Sequence, residues 1–125
     1  MDNSDRKILI VDDERVARRI LGAMIQRLGY STIEADGCES ARESFTEELL
    51  ALIFLDIEMG EESGLEFCSW VREQESGADI PIVMGTSHNE REFVLRAVNA
   101  GADDFVIKPF QALTIKERLE KHLKT

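Results

Sequence analysis

Short apolar runs rich in β-branched residues alternate with longer segments of helical spacing along the whole chain, and this alternation leaves few folds open. The runs are Lys7–Val11, Ser31–Ala35, Ala51–Leu55, Ile80–Met84 and Asp104–Ile107. The helical segments that follow them are Glu14–Leu28, Glu39–Glu48, Gly64–Glu75, Asn89–Ala100 and Gln111–Lys124. Ile8-Leu9-Ile10-Val11 and Ile53-Phe54-Leu55 are apolar on both faces, as a strand must be when helices cover both sides of a parallel sheet. Five strand-then-helix units predict a doubly wound α/β domain. Gly29, Gly77 and Gly101 follow helices one, three and four, and Ser87-His88-Asn89-Glu90 has the form of a capping box. No linker, repeat or low-complexity tract breaks the pattern, so residues 1–125 read as one domain with a core of about 7–123.

Charge narrows the function. Asp and Glu number 25 against 15 Lys and Arg, a formal charge of −10, which repels phosphate backbones and anionic lipid and argues against nucleic acid or a membrane surface as direct partner. Cys38 and Cys68 lie in neither CxxC nor Cys/His spacing, so neither a disulfide framework nor zinc is expected, and a reducing, cytoplasmic compartment fits. The longest apolar run, Leu49 to Leu55, is seven residues, far short of the roughly 20 that span a bilayer. The polar start, Met1-Asp2-Asn3-Ser4-Asp5-Arg6, is not a signal peptide.

Ligands of an open α/β sheet bind outside the carboxyl ends of its strands. Strand one ends in Asp12-Asp13-Glu14, strand three in Asp56, strand four in Thr86-Ser87 and strand five in Lys108-Pro109. With strands one and three as neighbours, three aspartates converge on one crevice. Packed like charges raise one another's pKa unless a cation is present. A hard divalent ion such as Mg²⁺, held by carboxylates, a carbonyl and waters, suits the set, with Mn²⁺ as an alternative.

On these residues the chain resembles the receiver domain of two-component response regulators, the CheY-like family. The motifs are Ile8-Leu9-Ile10-Val11-Asp12-Asp13; Leu55-Asp56-Ile57-Glu58-Met59 with Ser63-Gly64; Pro81-Ile82-Val83-Met84-Gly85-Thr86-Ser87; and Gly101-Ala102-Asp103-Asp104-Phe105-Val106-Ile107-Lys108-Pro109-Phe110. Each alone is weak, whereas four in order, each at its expected strand end, are specific. The resemblance implies strand order 2-1-3-4-5 with five helices. It implies that Asp56 accepts a phosphoryl group from a phosphohistidine on a sensor histidine kinase or phosphotransfer domain. Asp12, Asp13, Asp56 and the Ile57 backbone carbonyl would hold the Mg²⁺. Lys108 would pair with the carboxylate and then with phosphoryl oxygens, which Thr86, with Ser87 beside it, would also bind. The Lys108–Pro109 bond is a candidate cis peptide.

The resemblance also implies a switch in which Thr86 moves toward the phosphoryl group and Phe105 turns inward behind it. Having no hydroxyl, Phe105 would signal by burial of its ring. Readout would lie on the face of helix four, strand five and helix five, with Arg91, Phe93, Arg96, Gln111 and Lys116 exposed there, and that face offers a phosphorylation-dependent homodimer. Output would pass to a downstream protein or to an output domain absent from this chain. Three departures from the family pattern stand out. Gly60 replaces a proline, which predicts a more mobile loop; Gly85 predicts a looser switch loop; and Glu58 and His88 stand where the family tunes dephosphorylation.

Other classes compete. Phe54-Leu55-Asp56-Ile57-Glu58 also resembles the nucleophile strand of haloacid-dehalogenase-type phosphatases, but their acidic pair comes late in the chain. A flavin-binding protein of this fold needs a phosphate loop after strand one, where Asp12-Asp13-Glu14 would repel FMN. A pseudo-receiver used only for contacts predicts a missing Asp, Lys or Thr, and all are present. The charge is also uneven: residues 34–75 hold 13 acids against Arg42 and Arg72, whereas helix one carries Arg15, Arg18, Arg19 and Arg27. In this family the kinase docks against helix one, so Arg15, Arg18 and Arg19 are the expected docking residues.

Overall fold

The computed structural model describes residues 3–59, 62–87 and 91–123, except for the side chains of residues 3, 4 and 62. In chain order the main elements are β1 (Asn3–Val11), α1 (Arg15–Arg27), β2 (Tyr30–Ala35), α2 (Cys38–Glu47), β3 (Leu50–Asp56), α3 (Gly64–Glu73), β4 (Ile82–Thr86), α4 (Arg91–Ala100), β5 (Asp104–Ile107) and α5 (Ala112–His122). The five strands form one parallel sheet in the order β2-β1-β3-β4-β5, as the resemblance implies.

The period-two alternation of a strand explains both cores. Leu9, Val11, Ile53, Leu55, Ile82 and Met84 face one way and pack with Phe45 of α2, Phe67 and Val71 of α3 and Ala97 of α4. Ile8, Ile10, Leu52, Phe54, Val83 and Val106 face the other way, against Leu21 and Ile25 of α1 and Ile115 and Leu119 of α5. Burying each large side chain of this kind stabilises the fold by about 1.5–3 kcal/mol before conformational entropy is counted.

Several boundaries differ from the sequence-based expectation for local reasons. The fourth strand begins at Ile82, not Ile80. Pro81 has no N–H to donate to a ladder, although its carbonyl accepts from Ile53 N–H at 3.0 Å. Arg72 instead holds this corner, donating to the carbonyls of Gly77 (2.9 Å), Ile80 (2.6 Å) and Gly101 (2.9 Å) and pairing with Asp103 at 2.8 Å. Asp103 also accepts from Ile82 N–H at 2.8 Å. Glu14 is the N-cap of α1 rather than its first residue, and its side chain makes no capping bond. A short antiparallel ribbon, Glu58–Met59 with Glu62–Ser63, follows β3 and was not expected. Of the predicted capping box at residues 87–90, His88, Asn89 and Glu90 lie outside the described residues, as does Gly60.

The helix-closing glycines Gly29 and Gly101 have φ of +97° and +107°, a region that costs other residues strain. At the same end of the sheet, α5 is held to β5 by Asp104, which lies 3.1 Å from Arg118 Nε, 3.0 Å from His122 Nε2 and 3.6 Å from Lys121 Nζ. Burial would raise the Asp104 carboxyl, but the His122 contact, the Phe105 N–H and the charges of Arg118 and Lys121 outweigh it and hold the pKa below its ordinary value. Among the described residues, no helix is long and apolar enough to cross a membrane.

Candidate functional site

Adjacency of β1 and β3 carries Asp12 and Asp56 to the same end of the sheet. Both continue the alternation of the α1/α5 face, Asp12 after Ile8 and Ile10, Asp56 after Leu52 and Phe54. Asp12 is 4% exposed and Asp56 7%, which is rare for carboxylates without a partner. The partner is Lys108, just past β5, whose Nζ lies 3.1 Å from Asp12 Oδ2 and 3.3 Å from Asp56 Oδ1. The other Asp12 oxygen accepts from Glu14 N–H at 2.9 Å. Asp13 is exposed at the crevice mouth, and one oxygen each from Asp12, Asp13 and Asp56 all lie within 4.8 Å of one another.

The electrostatics follow from this geometry. Burial pushes the Asp56 carboxyl up to about 6; Lys108 opposes the rise, Asp12 adds to it, and the Glu58 backbone N–H works against it. Burial alone would lower the Lys108 pKa, but the Asp56 charge and then Asp12 outweigh it, so the ammonium stays charged and its pKa lies above the ordinary value. Three carboxylates against one ammonium leave about two negative charges when all are ionised. With oxygen as the sole donor type, the cluster fits a hard divalent cation and not a soft one.

The remaining predicted residues occupy varied settings. Thr86 ends β4 and is 2% exposed; its carbonyl accepts from Lys108 N–H at 2.8 Å. Ser87 beside it is exposed. The Lys108–Pro109 peptide is cis. Phe105 is half-buried against the α2/α3/α4-side core and lies opposite Met84 in the ladder. Glu58 is exposed in the ribbon, and His88 lies outside the described residues.

Three residues sit in surroundings that the sequence did not disclose. The Ile57 carbonyl, expected to bind metal, accepts from Gly64 N–H at 2.9 Å and from the Ser63 hydroxyl at 3.4 Å. One lone pair is thus engaged at the start of α3, and the hydroxyl contact is a long one. Arg18, expected on a docking face, donates to Glu34 Oε1 at 2.8 Å and to the Asp12 carbonyl at 2.9 Å. With its side chain only 13% exposed, it braces the site. Arg15 and Arg19 remain exposed, Arg19 lying 3.8 Å from Glu34. Gly85, expected to loosen the switch loop, is buried inside β4 with the Phe110 ring against it. Sequence reasoning gave Arg72, Asp103, Asp104 and Phe110 no role, although the last three lie within a quoted motif.

Comparison with known proteins agrees with this geometry. The family model described as response regulator receiver domain matches residues 8–120. The probable transcriptional regulator ycf27 of Porphyra purpurea is 36% identical over 124 residues, covering 99% of this chain and 50% of that protein. The phosphate regulon transcriptional regulatory protein PhoB of Escherichia coli K12 is 32% identical over 115 residues, covering 92% of this chain and 50% of PhoB. The chain thus spans about half the length of these curated relatives. Among solved structures, the Vibrio cholerae chemotaxis protein CheY4 superposes with a TM-score of 0.90 at 27% identity, covering 94% of this chain and 98% of CheY4. The chain belongs to the response regulator receiver domain family of two-component systems.

Proposed function

We propose that the chain is a phosphoacceptor switch in which Asp56 takes a phosphoryl group from a phosphohistidine of a sensor histidine kinase or phosphotransfer domain. The observation that supports this most is the bridge from the Lys108 ammonium to two buried carboxylates, Asp12 and Asp56, beside a third, Asp13. In the step, an Asp56 carboxylate oxygen bonds to phosphorus as the phosphorus–nitrogen bond to the imidazole breaks, and the bonding pair leaves with the ring nitrogen. A carboxylate that is largely ionised above about pH 6 needs no neighbouring base. Lys108 neutralises oxygens of the group being transferred, and a charged group already in place needs little reorganisation.

Asp12, Asp13 and Asp56 would hold Mg²⁺ or Mn²⁺, and a bound ion supplies further charge neutralisation to a phosphoryl group in transfer. Thr86 then hydrogen-bonds a phosphoryl oxygen, with Ser87 beside it. Phe105 turns inward from its half-buried position, altering the α4-β5-α5 face, where Leu95, Val98, Ile107 and Leu113 are exposed. That face reports to a downstream protein, to an output domain or to a second copy of the chain. Glu58 and His88 tune the lifetime of the acyl phosphate. The donor docks on α1 through Arg15 and Arg19, between which Val16 is 64% exposed and Ile20, just beyond, 54%. Residues 7–123 form the receiver unit.

The phosphatase and flavin readings lose their ground with the family assignment. A contact-only receiver is separated by incubating the protein with Mg²⁺ and acetyl phosphate and measuring intact mass. The switch reading expects one added phosphoryl group on the native chain and none on Asp56→Asn.

A further inference from the structure

Lys108 does not reach the carboxylates unsupported. The ladder pairs Asp56 with Gly85 and Gly85 with Val106, and paired residues of a parallel sheet point to the same face. On the α1/α5 face the row therefore reads Asp56, then a position with no side chain, then Val106. Phe110 fills that position. A Cβ built on Gly85 would lie 2.6 Å from Phe110 Cζ, 3.3 Å from Phe110 Cε1 and 3.7 Å from Lys108 Cε. Ring and lysine stem thus lie together on the floor that Gly85 leaves beside Asp56. The ring packs further against the α1/α5-side core, and the space left among Asp12, Asp56, Gly85, Lys108, Phe110 and Leu21 is a cavity of only about 10 Å³. That leaves room for one water at most behind the lysine.

We infer that Phe110 is a positioning residue for Lys108, seated in the notch of Gly85 so that the lysine stem is held against the ring and Nζ reaches Asp12 and Asp56 together. This deepens the phosphoacceptor reading and rests on it for its kinetic consequence. The Gly85 backbone lies outside the positive-φ region, so alanine is compatible with the strand. What alanine disturbs is the ring, which is too stiff to yield as an aliphatic chain end would. Leucine at 110 is shorter and flexible enough to clear the new methyl.

The test compares the native chain, Gly85→Ala, Phe110→Leu and the double variant, each shown folded by its thermal melt. The first readout is the ¹³C signal of the Lys108 Cε methylene without metal, at neutral pH. The second is the initial rate of phosphoryl uptake from acetyl phosphate with saturating Mg²⁺. The expected result is a displaced Lys108 signal in Gly85→Ala that returns toward native in the double variant. The rate should fall by about tenfold or more in Gly85→Ala, as for other small misplacements of a reacting group, and recover in the double variant. Mg²⁺ affinity should hold or tighten in Gly85→Ala, because the carboxylates are untouched and a displaced ammonium competes less for them; a general collapse of the crevice would weaken it. An unmoved Lys108 signal in folded Gly85→Ala, or a loss that Phe110→Leu does not reverse, overturns the inference. If the native chain takes up no phosphoryl group, the phosphoacceptor reading fails, and the Lys108 signal still decides for or against the positioning role.

Discussion

Lys108 and Asp56, separated in the chain by α3, β4, α4 and β5, meet with Nζ 3.3 Å from Oδ1, and the same ammonium lies 3.1 Å from Asp12 Oδ2. Asp56 is nevertheless pushed up to about 6 by its burial. One ammonium is too little charge for the crevice, and the first two predictions follow from that shortfall.

Without metal, the native protein should lose stability as pH rises from about 4 to about 6. The folded Asp56 pKa lies above the unfolded value, so the native state holds the extra proton in that window and the unfolded state does not. Asp56→Asn removes this pH dependence. A carboxyl pushed up to about 6, discounted for water at the crevice mouth, makes the variant more stable by about 1–2 kcal/mol at pH 7. Urea unfolding in EDTA at pH 4 and pH 7 measures it, and a less stable variant at pH 7 contradicts it.

Lys108→Ala should separate metal binding from chemistry. Removing the ammonium that competes for Asp12 and Asp56 should tighten Mg²⁺ binding by about threefold to tenfold. The rate of phosphoryl uptake should fall by about a hundredfold. A magnesium titration followed by NMR, with rates from acetyl phosphate, checks both, and weaker Mg²⁺ binding would count against the electrostatic account.

The arginines of α1 should divide into two kinds. Arg15→Glu with Arg19→Glu should slow transfer from a phosphohistidine protein while sparing acetyl phosphate, since both side chains are exposed. Arg18→Glu should slow both donors and lower stability by about 1–3 kcal/mol, because it loses a charge-assisted bond to Glu34 and one to the Asp12 carbonyl. Equal slowing of both donors by the first pair would remove the docking role.

Much of this was legible in the sequence, for a physical reason. Strands covered on both faces must be apolar on both faces, so Ile8-Leu9-Ile10-Val11 and Ile53-Phe54-Leu55 announced a parallel sheet. Once β1 and β3 are neighbours, the polar residues that terminate them, Asp12 and Asp56, share a crevice. What the sequence hid depends on register and on backbone direction. Arg18 meets Glu34 because β2 lies beside β1 with Ile10 opposite Glu34; nothing local marks that pair. The Ile57 carbonyl turns to Gly64 because the chain folds back as a ribbon before α3. Gly85 read as looseness until Phe110, from the turn after β5, occupied its place.

Asp104 should set part of the acid limb of stability. Its folded pKa lies below the ordinary value, with Arg118, Lys121 and His122 facing it. The stabilisation is therefore present above the unfolded pKa, about 4, and is lost as pH falls through the folded one. Asp104→Asn should lower the urea midpoint at pH 7 and approach the native midpoint near pH 3. A constant difference across that range would contradict the charge-based account.

The central claim is tested most directly by intact mass after incubation with Mg²⁺ and acetyl phosphate, repeated with EDTA and with Asp56→Asn. The account predicts one phosphoryl group on the native chain, lost with EDTA and absent from the variant. No gain on the native chain, or an equal gain on Asp56→Asn, contradicts it.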